Sequence, residues 1–272
     1  MTLFQACVLG LVQGLTEFLP VSSSAHLILF PWFFGWQDPG LAFDVFLHVG
    51  TLVAVFAYFA RDWLHLLSAG LRSVIERRIG FERERLVFWM MVVGNIPAVV
   101  AGVLLHDYAE SFFRTPLLIC VTLSVVGFLL YWIDGRAPTI KGIEELKLGD
   151  AIWIGMAQAL AIIPGVSRSG ATMTMGRALG LRRKASARFS FLLSFPIILG
   201  ACAYELKGFD SSALGGVPIS HLVGGFLCSM LSGLFAIHFL MRVLQIADYK
   251  WFAWYRIGLA GLILAWSMMS GH

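Results

Sequence analysis

Two short polar stretches in an otherwise hydrophobic chain hold the residues whose types and spacing could do chemistry. The first runs from Gln13 to His26 and reads Gln-Gly-Leu-Thr-Glu-Phe-Leu-Pro-Val-Ser-Ser-Ser-Ala-His. Glu17 is an ionisable residue in an apolar segment, where charge is costly and usually functional. Gln13 precedes it by four residues and therefore shares its helical face. This carboxylate would serve as a general base or a metal ligand. The alternative is that it only marks the end of a helix at the headgroup interface and has no chemical role.

Three hydroxyls and an imidazole follow closely. Ser22, Ser23 and Ser24 come after Pro20 and before His26. Serine after proline is typical of a helix N-cap. His26 lies three residues after Ser23 and four after Ser22, so a helix would put it on their face. Because these groups share a short stretch with a carboxylate, the pattern favours a functional role over a purely structural one.

The second polar stretch reads Pro164-Gly-Val-Ser-Arg-Ser-Gly170 and contains Arg168. An arginine in an apolar segment needs an anionic partner, and its forked guanidinium matches phosphate oxygens. The flanking glycines permit a close approach of the backbone, and the helix that follows offers free N–H groups and a positive dipole end. The pattern indicates an anion site. The alternative is that Arg168 pairs with Glu17 for structure alone.

The two stretches are related by a fixed offset. Adding 145 to a position in the first gives its counterpart in the second, so that Gln13 corresponds to Gln158, and Ser22 to Ser167. The relation continues beyond the motif, because Phe46-Leu47 corresponds to Phe191-Leu192. Two such polar breaks in one membrane chain predict a shared site where they meet.

The composition defines the class of protein. Hydrophobic residues make up 58% of the 272 residues and charged residues only 13%, with a mean hydropathy of +0.81. Soluble domains carry about 25% charged residues, so the composition predicts an integral membrane protein. The net charge is +4, but the basic residues form no soluble patch. Nucleic acid is therefore excluded as a partner.

Six segments are long enough to cross about 30 Å of hydrocarbon. They lie near 43–60, 86–106, 116–134, 187–206, 218–241 and 251–269. Four apolar segments are too short, namely 3–18, 21–34, 151–163 and 170–180. The short segments come in pairs broken by proline or serine, which predicts two re-entrant hairpins enclosed by protein.

The distribution of Lys and Arg predicts the orientation. If 61–85 is a cytoplasmic loop, then 135–150, 181–188 and 242–250 lie on the same side. These four loops hold 15 of the 20 lysines and arginines, as the positive-inside rule requires, and both termini lie outside. Three spans separate the hairpins, so the first enters from outside and the second from the cytoplasm.

The predicted fold class is therefore an all-α integral membrane protein. It has six transmembrane helices plus two re-entrant helix hairpins in an inverted-topology repeat. The chain forms a single membrane domain, 1–272, in which 1–135 is the first repeat and 136–272 the second. The polar tips of inverted hairpins meet near the middle of the bilayer in many transporters.

The two stretches also resemble a known family. Gly-Leu-Thr-Glu-Phe-Leu-Pro-Val-Ser-Ser-Ser-Ala-His and Pro-Gly-Val-Ser-Arg-Ser-Gly-Ala-Thr look like the two signatures of the undecaprenyl-diphosphate phosphatase family, of the bacitracin-resistance type. The resemblance covers nearly the whole chain. It implies hydrolysis of undecaprenyl diphosphate to the monophosphate at the outer face of the bacterial inner membrane. This reaction recycles the lipid carrier for cell-wall synthesis.

The resemblance also implies roles for individual residues. Its acidic motif falls on Gln13 and Glu17, its Ser/His motif on Ser22, Ser23 and His26, and its arginine motif on Ser167, Arg168 and Thr172. Together with Ser24 and Ser169, the hydroxyls of Ser22, Ser167 and Thr172 would bind the substrate phosphates. This chain departs from the family at Gln13, where many members have Glu. An amide is a weak metal ligand, so Glu17 would hold a metal alone.

The resulting scheme is an in-line displacement at phosphorus. Arg168 and the N–H groups of the half-helices hold the diphosphate. Ser23 is the expected nucleophile, with Glu17 or His26 taking its proton, while direct attack by His26 or by water stays open. A divalent cation, Mg²⁺ or Ca²⁺, would bridge Glu17 and the phosphates. The partners are a polyprenyl diphosphate and membrane lipids, with a homodimer as a further expectation.

A transporter is the alternative class. Inverted repeats with broken helices are a transporter design, and the same phosphate site could carry a lipid monophosphate across the bilayer. A carrier needs only the anion site, whereas a hydrolase also needs a nucleophile and a base, which Ser23, His26 and Glu17 supply. A chloride-type channel, the third possibility, would leave Glu17 unexplained.

Overall fold

The chain is helical throughout the part that is described. A computed structural model describes residues 1–110, 115–207 and 217–270, and these residues form eleven α-helices and no β-strand. The helices are α1 (Leu3–Phe18), α2 (Ser23–Phe34), α3 (Leu41–Tyr58), α4 (Ala60–Ile75), α5 (Arg83–Glu110), α6 (Pro116–Arg136), α7 (Leu148–Ala159), α8 (Arg168–Ala178), α9 (Arg183–Lys207), α10 (Ile219–Val243) and α11 (Lys250–Ser270).

Five of these helices are long and apolar enough to cross a membrane, namely α5, α6, α9, α10 and α11. A sixth span is present if α3 and α4, which meet at 82°, are counted as one broken segment. Helices α1, α2 and α7 are apolar but shorter, and α8 has only 11 residues. An all-helical protein with five or six apolar helices of spanning length is thus confirmed.

The expectation of a loop over 61–85 is wrong, because α4 occupies most of it. Helix α4 begins directly after the bend at Phe59. Its buried residues include Trp63, Leu66 and Gly70, and the ring of Phe88 on α5 lies where a side chain on Gly70 would stand. The arginines of this segment suggested a loop, but its apolar residues recur at the spacing of a helix face.

Close helix crossings enclose the short helices. A side chain on Gly10 of α1 would collide with the carbonyl of Gly225 on α10. In the same way, a side chain on Gly155 of α7 would collide with the carbonyl of Gly94 on α5. Small residues at such crossings let helix backbones approach each other in membranes. Helix α1 therefore packs against the second half of the chain, and α7 against the first.

The remaining contacts bring the two short helix pairs together. Helix α3 packs against α9 and α10, helix α6 against α11, and α8 against both α6 and α9. Helix α1 also contacts α8. The polar stretch 13–26, which joins α1 to α2, therefore lies beside the polar stretch 158–171, which joins α7 to α8. These two stretches are called the first and the second break below.

Candidate active site

Both breaks end in the same local structure. Ser22 and Ser167 have φ values of 77° and 69°, unusual for residues other than glycine. Each is the N-cap of the helix that follows. Ser22 Oγ accepts from Ala25 N at 3.4 Å, and Ser167 Oγ accepts from Gly170 N at 3.0 Å. Helices α2 and α8 thus both begin at a strained, serine-capped residue, and their N-termini carry the positive end of the helix dipole.

Two hydrogen bonds that involve serine hydroxyls join the two breaks to each other. Gly165 N donates to Ser22 Oγ at 3.2 Å, and Ser169 Oγ donates to the carbonyl of Leu19 at 2.9 Å. All of these groups are buried or partly buried, so the bonds fix one break against the other. The structure therefore brings the two polar stretches together, as their sequence predicted.

A buried ion pair joins the catalytic candidates of the two breaks. Arg168 Nη2 lies 2.7 Å from Glu17 Oε1. The other carboxylate oxygen, Oε2, accepts from Ser23 Oγ at 2.5 Å and from Gln13 Nε2 at 3.1 Å. The Glu17 side chain is only 5% exposed and that of Arg168 12%. A hydroxyl hydrogen-bonded to a buried carboxylate, with a guanidinium alongside, has the arrangement of a nucleophile, a base and an anion-binding group.

His26 is buried but bonded to groups other than Ser23. Its Nδ1 lies 2.6 Å from the carbonyl oxygen of Ser22, and its Nε2 lies 2.7 Å from the hydroxyl of Tyr255. A carbonyl only accepts, so Nδ1 carries the hydrogen and Nε2 accepts from Tyr255. The rings of His26 and Tyr255 are stacked, with centroids 5.7 Å apart. Of the two bases proposed from the sequence, Glu17 is the one in hydrogen-bonding contact with Ser23.

The other predicted hydroxyls lie at the junction of the breaks, except that of Thr172. Ser24 Oγ lies 3.2 Å from Ser22 Oγ, and Ser169 Oγ lies at the same distance from Ser167 Oγ. Thr172 is bonded instead to its own helix and to α9, because its hydroxyl donates to the carbonyl of Arg168 at 2.8 Å and contacts Ser190 Oγ at 2.7 Å. Ser22, Ser24, Ser167 and Ser169 therefore line the junction of the breaks, while Thr172 supports the first turn of α8.

Arg256 is a site residue that the sequence analysis missed. It is fully buried in α11. One guanidinium nitrogen donates to the carbonyl of Pro20 at 3.1 Å and another to those of Gly165 and Val166, at 2.7 and 3.1 Å. Its charge is thus held by backbone carbonyls of both breaks. The rule that identified Arg168, an arginine within an apolar span, would have identified it too.

His48 was missed as well. It lies on α3, and its Nε2 is 3.3 Å from Glu17 Oε2. The signal was its place inside an apolar span, but only the fold shows that α3 brings it to α1.

The protein groups at Glu17 do not fit a divalent cation as they stand. The described residues contain no group of three His, Cys, Asp or Glu side chains that could hold a metal. Both oxygens of Glu17 are engaged by donors, among them the Ser23 hydroxyl, and in the same helix the buried Gln13 Oε1 has no hydrogen-bond partner. Mg²⁺ and Ca²⁺ require six or more oxygen ligands. The expected cation remains a prediction, and no step below passes through it.

The fold and the site together define a class of helical membrane protein with a buried polar centre, which includes the Glu17–Arg168 ion pair, between two helix breaks. The family of Bacitracin resistance protein BacA matches residues 6–262 of the chain. The chain belongs to that family.

Relatives with similar sequences cover almost the whole chain. An undecaprenyl-diphosphatase of Pelotomaculum thermopropionicum is 50% identical over 267 residues, which are 97% of each protein. One of Moorella thermoacetica is 49% identical, over 97% of this chain and 98% of its own. One of Geobacter sulfurreducens is 42% identical over 98% of each. These names describe hydrolases and give no support to the transporter interpretation.

Proposed function

We propose that the protein hydrolyses undecaprenyl diphosphate to undecaprenyl phosphate and inorganic phosphate, and so returns a lipid carrier to cell-wall synthesis. Membership of the BacA family and the names of its relatives support this activity. The observation that carries the proposal is the contact of Ser23 Oγ with Glu17 Oε2 at 2.5 Å, with Arg168 at 2.7 Å from the other carboxylate oxygen. An anion carrier would need the arginine but not the paired hydroxyl and carboxylate.

The substrate would replace Glu17 as the partner of Arg168. A terminal phosphate at the junction of the breaks would accept hydrogen bonds from the guanidinium and from the first N–H groups of α2 and α8. These donors also stabilise the charge that develops on the phosphoryl oxygens during displacement. The cluster of serine hydroxyls at the junction supplies further donors. The prenyl chain would lie among the apolar helices.

The reaction would proceed in two displacements. Ser23 Oγ attacks the terminal phosphorus, its proton passes to Glu17, and the anhydride bond breaks to release undecaprenyl phosphate. Water then attacks the phosphoserine, the bond to Ser23 breaks, and Glu17 returns the proton to the serine. Both hydrogens of the water leave with the inorganic phosphate, as dihydrogen phosphate or as hydrogen phosphate and a released proton. Direct attack by His26 or by water would omit the phosphoserine, which makes that intermediate the point to test.

The helix packing supports an inverted repeat with swapped partners. Helix α1 packs on α10 and α7 on α5, α3 contacts α10 and α9 contacts α5, and α6 pairs with α11. Each short helix pair thus lies against a long helix of the opposite half. We propose two re-entrant hairpins, in repeats 1–135 and 136–272 of one membrane domain, with tips that meet inside the bilayer.

The proposed location is the bacterial inner membrane, with the site open to the periplasm. The basic segments support this orientation, and α4, with arginines at both ends, would lie along the cytoplasmic surface. A reporter active only in the cytoplasm should give signal when inserted near Arg78 and none when fused after His272. The reverse result would contradict the orientation while leaving the activity open.

Phosphate release from the purified protein tests the proposed activity. The substrate is undecaprenyl diphosphate in detergent or in vesicles, with and without chelator, and the variant Ser23→Ala is the negative control. We expect release by the wild type and almost none by the variant. Loss of release in chelator would support the predicted cation, and full release in chelator would contradict it. Absence of wild-type release under all conditions would contradict the hydrolase.

A further inference from the structure

His48 lies beside the candidate base but belongs to neither polar break. Its Nε2 is 3.3 Å from Glu17 Oε2, and its Nδ1 is 2.7 Å from the carbonyl oxygen of Asp44, one turn earlier on α3. The carbonyl only accepts hydrogen bonds, so Nδ1 must carry a hydrogen. The ring is therefore held from behind by its own helix and turned with Nε2 toward the carboxylate of α1.

We propose that His48 is a positioning residue that carries hydrogen on both ring nitrogens and, as an imidazolium, donates from Nε2 to Glu17 Oε2, which keeps the carboxylate turned toward the Ser23 hydroxyl. This inference rests on the proposed hydrolysis. It concerns an interaction between α3 and α1 that the two sequence motifs do not contain.

The need for such a residue follows from the geometry of Glu17. Rotation about the last side-chain bond of glutamate is only weakly restricted, so a carboxylate turns unless its oxygens are held. Arg168 holds Oε1 at 2.7 Å, but a bound phosphate would compete for that guanidinium. Oε2 would then be left with Ser23, Gln13 and His48. Gln13 lies on the same helix as Glu17, and Ser23 is the nucleophile itself. His48 is therefore the partner that holds Oε2 from a separate helix, α3.

The second half of the chain lacks both members of this pair. With the offset of 145, Glu17 corresponds to Ile162 and His48 to Leu193. Leu193 is fully buried in the apolar core. The acid and the histidine that faces it are thus present in one half and absent in the other, as expected if the histidine serves the acid.

The substitutions His48→Gln and His48→Leu test the proposal, because the two new side chains are similar in volume and differ in hydrogen bonding. Glutamine keeps an N–H donor at about the reach of Nε2, whereas leucine has none. We expect His48→Gln to keep kcat within about threefold of the wild type. His48→Leu should lower kcat roughly 10- to 100-fold, the worth of a hydrogen bond to a charged group, with KM little changed.

Two further variants complete the test. His238→Leu removes a histidine of α10 that contacts Tyr58 at 3.5 Å, and it should leave kcat and KM unchanged. His48→Asn carries an amide too short to reach Glu17 and should resemble His48→Leu. If the leucine variant does not fold, the difference between the glutamine and asparagine variants decides.

The outcomes separate this inference from the activity on which it rests. An inactive wild type contradicts the hydrolase. An active wild type with equal losses in the glutamine and leucine variants would show that an N–H donor at this position does not restore activity, and would overturn the positioning role. Full activity in His48→Leu would overturn it too.

Discussion

The first and second polar breaks use the same backbone device and carry different side chains. Each break places a serine at positive φ as the N-cap of a short helix, and in each the capping hydroxyl lies 3.2 Å from the serine two residues later. At corresponding positions, however, the first break has Glu17 and Ser23, where the second has Ile162 and Arg168. His26 corresponds to Ala171.

The feature that the two breaks share suits anion binding, whereas the side chains that differ between them are the ones proposed for hydrolysis. Each break contributes one serine-capped helix N-terminus, and the free N–H groups and positive dipole end of such a terminus suit an anion. The Glu17 carboxylate and the Ser23 hydroxyl come from the first break alone, and the Arg168 guanidinium from the second alone. An anion site made from two similar halves would therefore become a hydrolytic one through substitution at a few positions, with the capping serines unchanged.

Substitution of Arg168, in the second break, should have the largest effect on turnover. Arg168→Lys keeps the charge but loses the forked geometry, so we expect turnover to fall by about 10²- to 10³-fold while the protein remains folded. Arg188→Lys is the matched control, because Arg188 contacts Asp62 at 2.7 Å on an exposed surface. Phosphate release measures both. Turnover by Arg168→Lys within about threefold of the wild type would remove Arg168 from its role as the phosphate clamp.

The nucleophile of the first break should be nearly as sensitive. Ser23→Ala should leave almost no turnover, whereas His26→Ala should keep a measurable remnant, since His26 is bonded to Ser22 and Tyr255 and not to Ser23. Rapid quenching of the wild type should trap acid-stable phosphoserine at Ser23. Acid-labile phosphohistidine at His26 would instead assign the attack to the imidazole.

The sequence predicted the helices better than the contacts between them. Apolar length and proline or serine breaks were enough to predict the long helices and the short ones, because burial in lipid leaves few alternatives to a helix. Helix α4 was missed because arginines occupy the same segment as its apolar face. The re-entrant hairpins and their inverted relation stay predictions.

The candidate site shows the same division. Glu17, Ser23 and Arg168 were predicted from residue type and context, and they lie together in the structure. His48, Tyr255 and the carbonyl partners of Arg256 depend on α3 and α11 approaching the breaks. Such contacts between distant segments have no local signature in the chain, so they became visible only with the fold.

Substitution of the two capping serines should show a smaller contrast, in the stability of the protein. Glycine accepts the positive φ of either serine, so Ser22→Gly and Ser167→Gly compare the hydroxyls without backbone strain. Ser22 Oγ also accepts from Gly165 N across the two breaks, and its loss leaves a buried N–H unpaired. We expect Ser22→Gly to cost about 1–2 kcal/mol more stability than Ser167→Gly, measured as thermal unfolding in detergent. Equal losses would mean that the bond between the breaks adds nothing.

The side-chain amides of Gln13 and Gln158 occupy corresponding positions in the two breaks. Their substitution should give the smallest difference in turnover, seen mainly in the response to chelator. Gln13 Nε2 donates to Glu17 Oε2 at 3.1 Å, whereas its counterpart Gln158 donates to Asn95 Oδ1 at 2.9 Å. Gln13→Glu would put a second carboxylate beside Glu17, and two adjacent carboxylates must share a proton or a cation. We therefore expect turnover within about threefold of the wild type when Mg²⁺ is supplied, together with a greater loss in chelator than the wild type shows.

Gln158→Glu is the control for that substitution, since no carboxylate partner corresponds to Glu17 in the second break. It should weaken the contact with Asn95 and leave the response to chelator as in the wild type. Phosphate release across a series of Mg²⁺ concentrations distinguishes the two variants. If Gln13→Glu is inactive at every concentration, or responds to chelator as the wild type does, then a carboxylate at position 13 does not create a cation site beside Glu17. The contrast between the two amides would then lie only in their packing.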